Sequence, residues 1–216
     1  MKLKPVEEDI LFILYKLERD DRGIKIAEVV KNVNVSQSKV SLILKELSEK
    51  GLVVYTRYKS VRLTDTGRKV AAYLVRRHRV LERFLSDILK YDSVLSHVEA
   101  HRLEHSVSRE FVDRLDSFLK YPAKDPHGNP IPREGMKYKE EGFLLSEANE
   151  GDELMVVAIL DESPDFLKRL IDYSIYPGAK IKVLSKPPFG AMAIKIGDTN
   201  IAIDLSSAGK IRVKKV

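Results

Sequence analysis

Apolar positions in the first fifty residues recur at helical spacing in three short blocks. Val6, Ile10, Ile13, Leu14 and Leu17 share one face of a helix over roughly 6–19, with Glu7, Glu8 and Asp9 on its other face. Asp20-Asp21-Arg22-Gly23 ends that block. Ile26, Val29 and Val30 mark a second short helix, closed by Asn32-Val33-Asn34. Ser36 is suited to cap a third, whose inward face is Val40, Ile43, Leu44 and Leu47 and which Gly51 stops. The period then changes. Leu52-Val53-Val54-Tyr55 and Val61-Arg62-Leu63 are β-rich runs joined by Thr56-Arg57-Tyr58-Lys59-Ser60. Three short helices and a hairpin predict a winged helix-turn-helix over 1–64.

Helical spacing resumes in a long block from about Asp65 to Leu89, where Val80, Leu81, Phe84, Leu85, Ile88 and Leu89 form a stripe. Further helices are predicted from Ser93 to Ser106 and from Ser108 to Leu119, the latter with Phe111, Val112, Leu115 and Leu119 apolar. Together they carry more apolar surface than one small domain covers, so 65–124 reads as a helical dimerisation domain. Asp125-Pro126-His127-Gly128-Asn129-Pro130-Ile131-Pro132 is stiff and turn-rich and opens a linker, 125–141, with His127 as a turn residue. Beyond it, Leu154–Leu160, Lys180–Leu184, Ala191–Ile196 and Ile201–Leu205 are strand-like, with a turn at Gly197-Asp198-Thr199-Asn200. A short helix from Phe166 to Ile175 closes at Pro177-Gly178. Five or so strands and one helix predict a small β-barrel at 142–216. The fold class is mainly α with α+β parts.

Composition narrows the chemistry. The 216 residues include no cysteine, which excludes disulfides, thiolate zinc sites and iron–sulfur clusters. No apolar run approaches the ~20 residues of a membrane helix, and the N-terminus lacks a signal-peptide core, so no membrane partner and a cytoplasmic location are expected. The net charge of +6 is modest, but it is unevenly placed. Ser36 to Arg79 holds eleven Lys and Arg against three acids. The third helix opens with Ser36, Gln37, Ser38, Lys39 and Ser41, short polar groups suited to phosphates and base edges, and Arg57, Tyr58 and Lys59 sit at the hairpin tip. A charge run alone describes a solvated face. Here it coincides with a recognition-helix pattern and a wing, so double-stranded DNA is the expected partner.

Four of the five histidines lie between Arg76 and His105. His78 and Glu82 are four residues apart; His97, His101 and His105 repeat that step, with Glu104 three after His101. Imidazoles and carboxylates on one helix face can converge on a divalent cation. The bland alternative is a His-rich solvated face, with a regulator that answers to a non-metal signal. His101-Arg102-Leu103-Glu104-His105 also matches H-x-x-E-H, in which two His bind zinc and the Glu is a general base. A peptidase would need a further ligand and a much larger domain around that helix, so no enzyme activity and no small-molecule substrate are expected.

R-H-R-V-L-E-R-F-L at 77–85, E-A-H-R-L-E-H at 99–105 and D-P-H-G-N-P-I-P at 125–132 together resemble the diphtheria toxin repressor family of iron- and manganese-dependent transcriptional regulators. The resemblance spans essentially the whole chain. It implies a homodimeric repressor of metal-homeostasis genes that takes Fe²⁺ or Mn²⁺. It also implies a primary metal site at Asp9, His101, Glu104 and His105, and an ancillary one at His78, Glu82 and His97. Asp9 stands where iron-responsive members have Met, as in manganese regulators. His101 stands where iron members have Cys and manganese members Glu. The stretch LxxLIDYSIYPGAKIKV at 167–183 is similar to FeoA-like SH3 domains. Such a domain lends oxygen ligands to the ancillary site in some members. Glu162 and Asp165 are the nearest residues of that kind, and both read as part of a solvated loop.

Overall fold

A computed structural model describes residues 2–18, 23–33, 35–56, 59–133 and 141–216. Among these, 2–78 with 132–133 form one compact unit and 79–131 with 141–216 the other.

In the first unit, α1 (Pro5–Leu17) buries Ile10, Leu11 and Leu14 against α2 (Ile26–Lys31) and α3 (Gln37–Glu49). Ser36 caps α3 by accepting from the Lys39 amide at 3.4 Å. At the other end Gly51, at φ +70°, turns the chain left-handed. The Leu52 amide then reaches the Leu47 carbonyl at 3.0 Å, and the Gly51 amide the Ser48 carbonyl at 2.9 Å, which closes the helix. Val40, Ile43, Leu44 and Leu47 are buried as their spacing predicts. The wing is three-stranded, ordered β1-β3-β2, from Ile24–Lys25, Ser60–Leu63 and Val53–Thr56. Its two-residue strand β1 is too short to leave a sequence period.

Glu7 departs from expectation. The apolar spacing puts it on the polar face of α1, yet its side chain is fully buried against α3. Of the predicted loops, Asp20, Asp21, Arg22, Asn34 and linker residues 134–140 lie outside the described residues.

α4 (Asp65–Asp87) is one continuous helix, and the boundary between the units falls within it. In the second unit its C-terminal half packs Val80, Leu81 and Leu85 with Ala100 of α5 (Ser93–Glu104) and with Val112 and Leu115 of α6 (Arg109–Phe118). The first half of the linker does not hang free of this core. Asp125, His127, Asn129 and Ile131 are all buried, and Ile131 belongs to the same apolar cluster.

The rest of the second unit is a six-stranded antiparallel sheet ordered β4-β9-β5-β6-β7-β8. Its strands are Phe143–Leu144 (β4), Glu153–Ile159 (β5), Lys180–Ser185 (β6), Ala191–Ile196 (β7), Thr199–Asp204 (β8) and Ile211–Lys215 (β9). α7 (Pro164–Asp172) follows β5 and buries Phe166, Leu167 and Leu170. α8 (Leu205–Ala208) joins β8 to β9 and is capped by Asp204. Alternation of buried and exposed residues along β6, β7 and β8 puts one face on the core.

Candidate metal centre

Asp92 caps α5 by accepting from the Leu95 amide at 2.8 Å, which starts the helix so that His97, His101 and His105 rise along one side. His105 is the C-cap residue. The Glu104 carboxylate, 5% exposed, lies between two imidazoles: Oε1 is 2.6 Å from Nδ1 of His101 and 3.7 Å from Nε2 of His105. The two rings are 5.7 Å apart, edge to face. His101 is exposed and His105 half-buried, so the trio opens towards solvent. Asp9, on α1 in the first unit, is half-buried.

A second cluster lies deeper. Glu82 on α4 is fully buried, and its Oε1 is 2.8 Å from Nδ1 of His97. His78 is one turn earlier on α4, buried, with its ring edge-on to Phe12 at 5.2 Å. Glu82 Oε1 is also 3.4 Å from Nε2 of His127, a distance of ion pairing rather than of a short hydrogen bond.

The turn carrying His127 is built for burial. Asp125 Oδ1 accepts from the amides of His127 (2.8 Å) and Asn129 (2.9 Å), and Oδ2 is 3.0 Å from Nε of Arg79. Gly128 has φ +86°, and a Cβ there would stand 2.1 Å from the Val157 carbonyl oxygen, so only glycine fits. Asn129 Nδ2 donates at 2.8 Å to both the Ile159 carbonyl and Oε1 of Glu162. Glu162 is 4% exposed, which corrects its reading as a solvated loop residue; Asp165, at the start of α7, is exposed as expected.

This second cluster gathers buried carboxylates among imidazoles and a guanidinium. Glu82, Asp125 and Glu162 are three buried carboxylates, facing Arg79 and His127. Burial, with Glu82 and Glu162 adding to it, pushes Asp125 up to about 6 against the pull of Arg79 and His127. Burial alone would lower His127, but its contact with Glu82 and the charges of Glu162 and Asp125 outweigh this and raise it to about 9. Imidazole nitrogens and carboxylate oxygens in both clusters suit divalent first-row metals. Periodicity within one helix cannot bring the 125–129 turn and Glu162 to this cluster; only the family resemblance points to Glu162, and nothing in the sequence points to Asp125 or His127.

On the DNA side, Ser36, Gln37, Ser38 and Lys39 are exposed at the start of α3, and Ser41 is half-buried. Ser36 Oγ is partly committed, to the Lys39 amide and to Ser38 Oγ at 3.0 Å. Lys59 is exposed beside β3; Arg57 and Tyr58 lie outside the described residues.

Comparison with known proteins is consistent along the chain. Residues 2–61 match the iron dependent repressor N-terminal DNA binding domain, 64–133 its metal binding and dimerisation domain, and 143–215 the FeoA domain. A solved manganese-dependent transcriptional repressor in complex with manganese is 31% identical, covering 97% of this chain and 100% of its own, with a TM-score of 0.87. The chain belongs to the diphtheria toxin repressor family. The manganese regulator SloR, also solved, shares 31% identity over 99% of this chain and all of its own, at a TM-score of 0.85. The iron-dependent repressor IdeR of Mycobacterium leprae is 27% identical over 97% of this chain and 96% of its own. This family comprises transcriptional regulators, not enzymes. Its helix-turn-helix, helical and FeoA-like parts are those expected here from hydrophobic pattern and motif. Among the described residues, no helix is long and apolar enough to cross a membrane.

Proposed function

We propose that this protein is a metal-gated repressor in which one divalent cation, Mn²⁺ or Fe²⁺, is held jointly by Asp9 of α1 and by His101, Glu104 and His105 of α5. The observation that carries the reading is the buried Glu104 carboxylate between two imidazoles, in a chain of a metal-dependent repressor family. Asp9 lies in the DNA-binding segment and the other three ligands in the metal-binding and dimerisation segment. A cation held by both favours one arrangement of the reading heads, and it shifts the balance only by binding that arrangement more tightly. The protein acts as a homodimer on operator half-sites about one duplex turn (~34 Å) apart.

The test is DNA binding by metal-free protein, measured by mobility shift on promoter fragments with Mn²⁺, with Fe²⁺ and with chelator. Cation-dependent retardation is expected. Equal retardation in chelator would replace the reading with a regulator of non-metal signals.

For a second cation the described contacts favour a set beyond His78, Glu82 and His97. Three buried carboxylates, Glu82, Asp125 and Glu162, gather around His127. Asp125→Asn and His127→Ala are expected to reduce Mn²⁺ stoichiometry, read by calorimetry, by about one ion per chain while leaving DNA stimulation by the first ion measurable. Unchanged stoichiometry in both variants, with loss in His78→Ala, would return the second ion to the helical trio.

A further inference from the structure

Glu7 is a fully buried carboxylate of the DNA-binding segment, and it joins the ends of two helices. Its Oε2 accepts from the amide of Lys4, the N-cap residue of α1, at 2.7 Å. Its two oxygens accept from Nζ of Lys50, the C-cap residue of α3, at 2.5 and 2.7 Å. Lys4 Nζ in turn donates to Glu46 on the last turn of α3 at 2.8 Å, and the Glu46 carbonyl accepts the Lys50 amide at 3.1 Å. Lys4, Glu7, Lys50 and Glu46 thus form a closed circuit between the start of α1 and the end of the reading helix. Glu7 and Lys50 suit their places, a carboxylate at a helix N-terminus and an ammonium at a helix C-terminus; Lys4 and Glu46 have the opposite placement and offset it by pairing with each other.

Simple stabilisation is a weak account of such a pair. Withdrawing the Glu7 carboxylate from water is costly even though Lys50 keeps 28% of its side chain exposed, and an apolar pair of similar volume often serves a fold as well or better. What an ion pair adds is direction. Glu7 and Asp9 are two residues apart on α1, about 200° around the helix, so they leave it on nearly opposite sides. Glu8, between them, is tied to α4 through Arg77 Nη2 at 2.6 Å. One turn of α1 therefore carries a grip on the reading helix on one side and the proposed metal ligand on the other.

We infer that Glu7 is a positioning residue that makes α3 follow α1, so that a cation drawing on Asp9 re-aims the DNA-reading surface. This rests on the reading of Asp9 as a ligand. The Glu7–Lys50 grip transmits the signal; it neither holds the metal nor touches DNA.

The experiment uses full-length, metal-free protein and a labelled duplex selected from random sequence by the Mn²⁺-loaded wild type. Mn²⁺ affinity without DNA is measured by calorimetry, duplex affinity by anisotropy with and without Mn²⁺, and stability by urea unfolding. In Glu7→Gln, Mn²⁺ affinity is expected to stay within about threefold of wild type, while the Mn²⁺-dependent gain in duplex affinity falls about tenfold. By reciprocity, the gain in Mn²⁺ affinity caused by the duplex falls by the same factor. A merely structural Glu7 would lower the urea midpoint and leave that ratio intact. The double variant Glu7→Met with Lys50→Met removes both charges without stranding either, so it decides the matter if Glu7→Gln fails to fold. Wild-type coupling in whichever of these folds overturns the inference. Asp9→Asn separates the two layers. If it keeps the full Mn²⁺ response, the ligand reading fails and this inference with it; if it loses the response while Glu7→Gln keeps it, only the grip is overturned.

Discussion

At the scale of single residues, the candidate site rests on carboxylates whose burial makes sense only with partners. Glu104 is 5% exposed and bracketed by His101 and His105, so replacing it changes ligand chemistry more than packing. Glu104→Ala and His105→Ala are expected to abolish Mn²⁺-stimulated DNA binding while circular dichroism and sedimentation report a folded dimer. A variant that still responds to Mn²⁺ as wild type does would move the primary site elsewhere. His101 and Glu104 are legible in the sequence because they are three apart on one helix, where spacing alone places them together. Glu162 is not. Its neighbours Asp161 and Ser163 are polar and nothing in that stretch repeats, so it takes a distant partner such as Asn129 to account for the buried carboxylate. Glu7 misleads for a related reason. Three consecutive acids read as a polar face, yet a Lys forty-three residues later draws one of them inside.

At the scale of elements, the helices are the most legible part, because Ser36, Asp92 and Ser108 are caps that the chain writes explicitly. The strands at the sheet edge are not. β4 has two residues, and β9 (Ile211–Lys215) mixes Ile and Val with Arg and Lys, so its inward Ile211 and Val213 show only once β5 lies beside them. The segment 125–131 reads as a turn from its Pro and Gly, but its burial depends on Arg79, Glu82 and Ile159, which come from other elements. For the DNA-reading elements, position on α3 and beside the wing leads to distinct expectations. Lys39→Ala and Lys59→Ala should weaken binding to every duplex and reduce the log–log salt slope by roughly one unit for each phosphate no longer neutralised. Gln37→Ala should instead change which sequence is preferred, since its amide can pair with adenine in the major groove. Anisotropy titrations across a salt series, with selected and scrambled duplexes, separate the two. An unchanged slope in both lysine variants would place the DNA interface elsewhere.

At the scale of the whole molecule, the metal-binding and dimerisation segment leaves Ile88 and Leu89 just after α4, Leu95 on α5, and Phe111 and Phe118 on α6 exposed. That much apolar surface in one segment is what a subunit contact would cover. A symmetric dimer of metal-gated readers then turns the choice of cation into a question of geometry, not of affinity alone. No thiolate or thioether stands at the proposed ligand positions; Asp9, Glu82 and Glu104 supply hard oxygens, and the histidines keep affinity for later metals. Intrinsic affinity should therefore climb from Mn²⁺ towards Zn²⁺, as at most nitrogen and oxygen sites. Activation need not follow it. An ion that accepts six ligands can hold Asp9 and the α5 ligands together, whereas Zn²⁺ settles for four and can leave one of them unbound. Mn²⁺ and Fe²⁺ are thus expected to activate DNA binding fully, and Zn²⁺ to bind at least as tightly while activating less. Calorimetry and operator anisotropy on the same metal-free preparation, titrated with each ion, read the two quantities side by side. Full activation by Zn²⁺ with none by Mn²⁺ or Fe²⁺ would identify a zinc sensor, and coordination number would then not be what links this site to DNA.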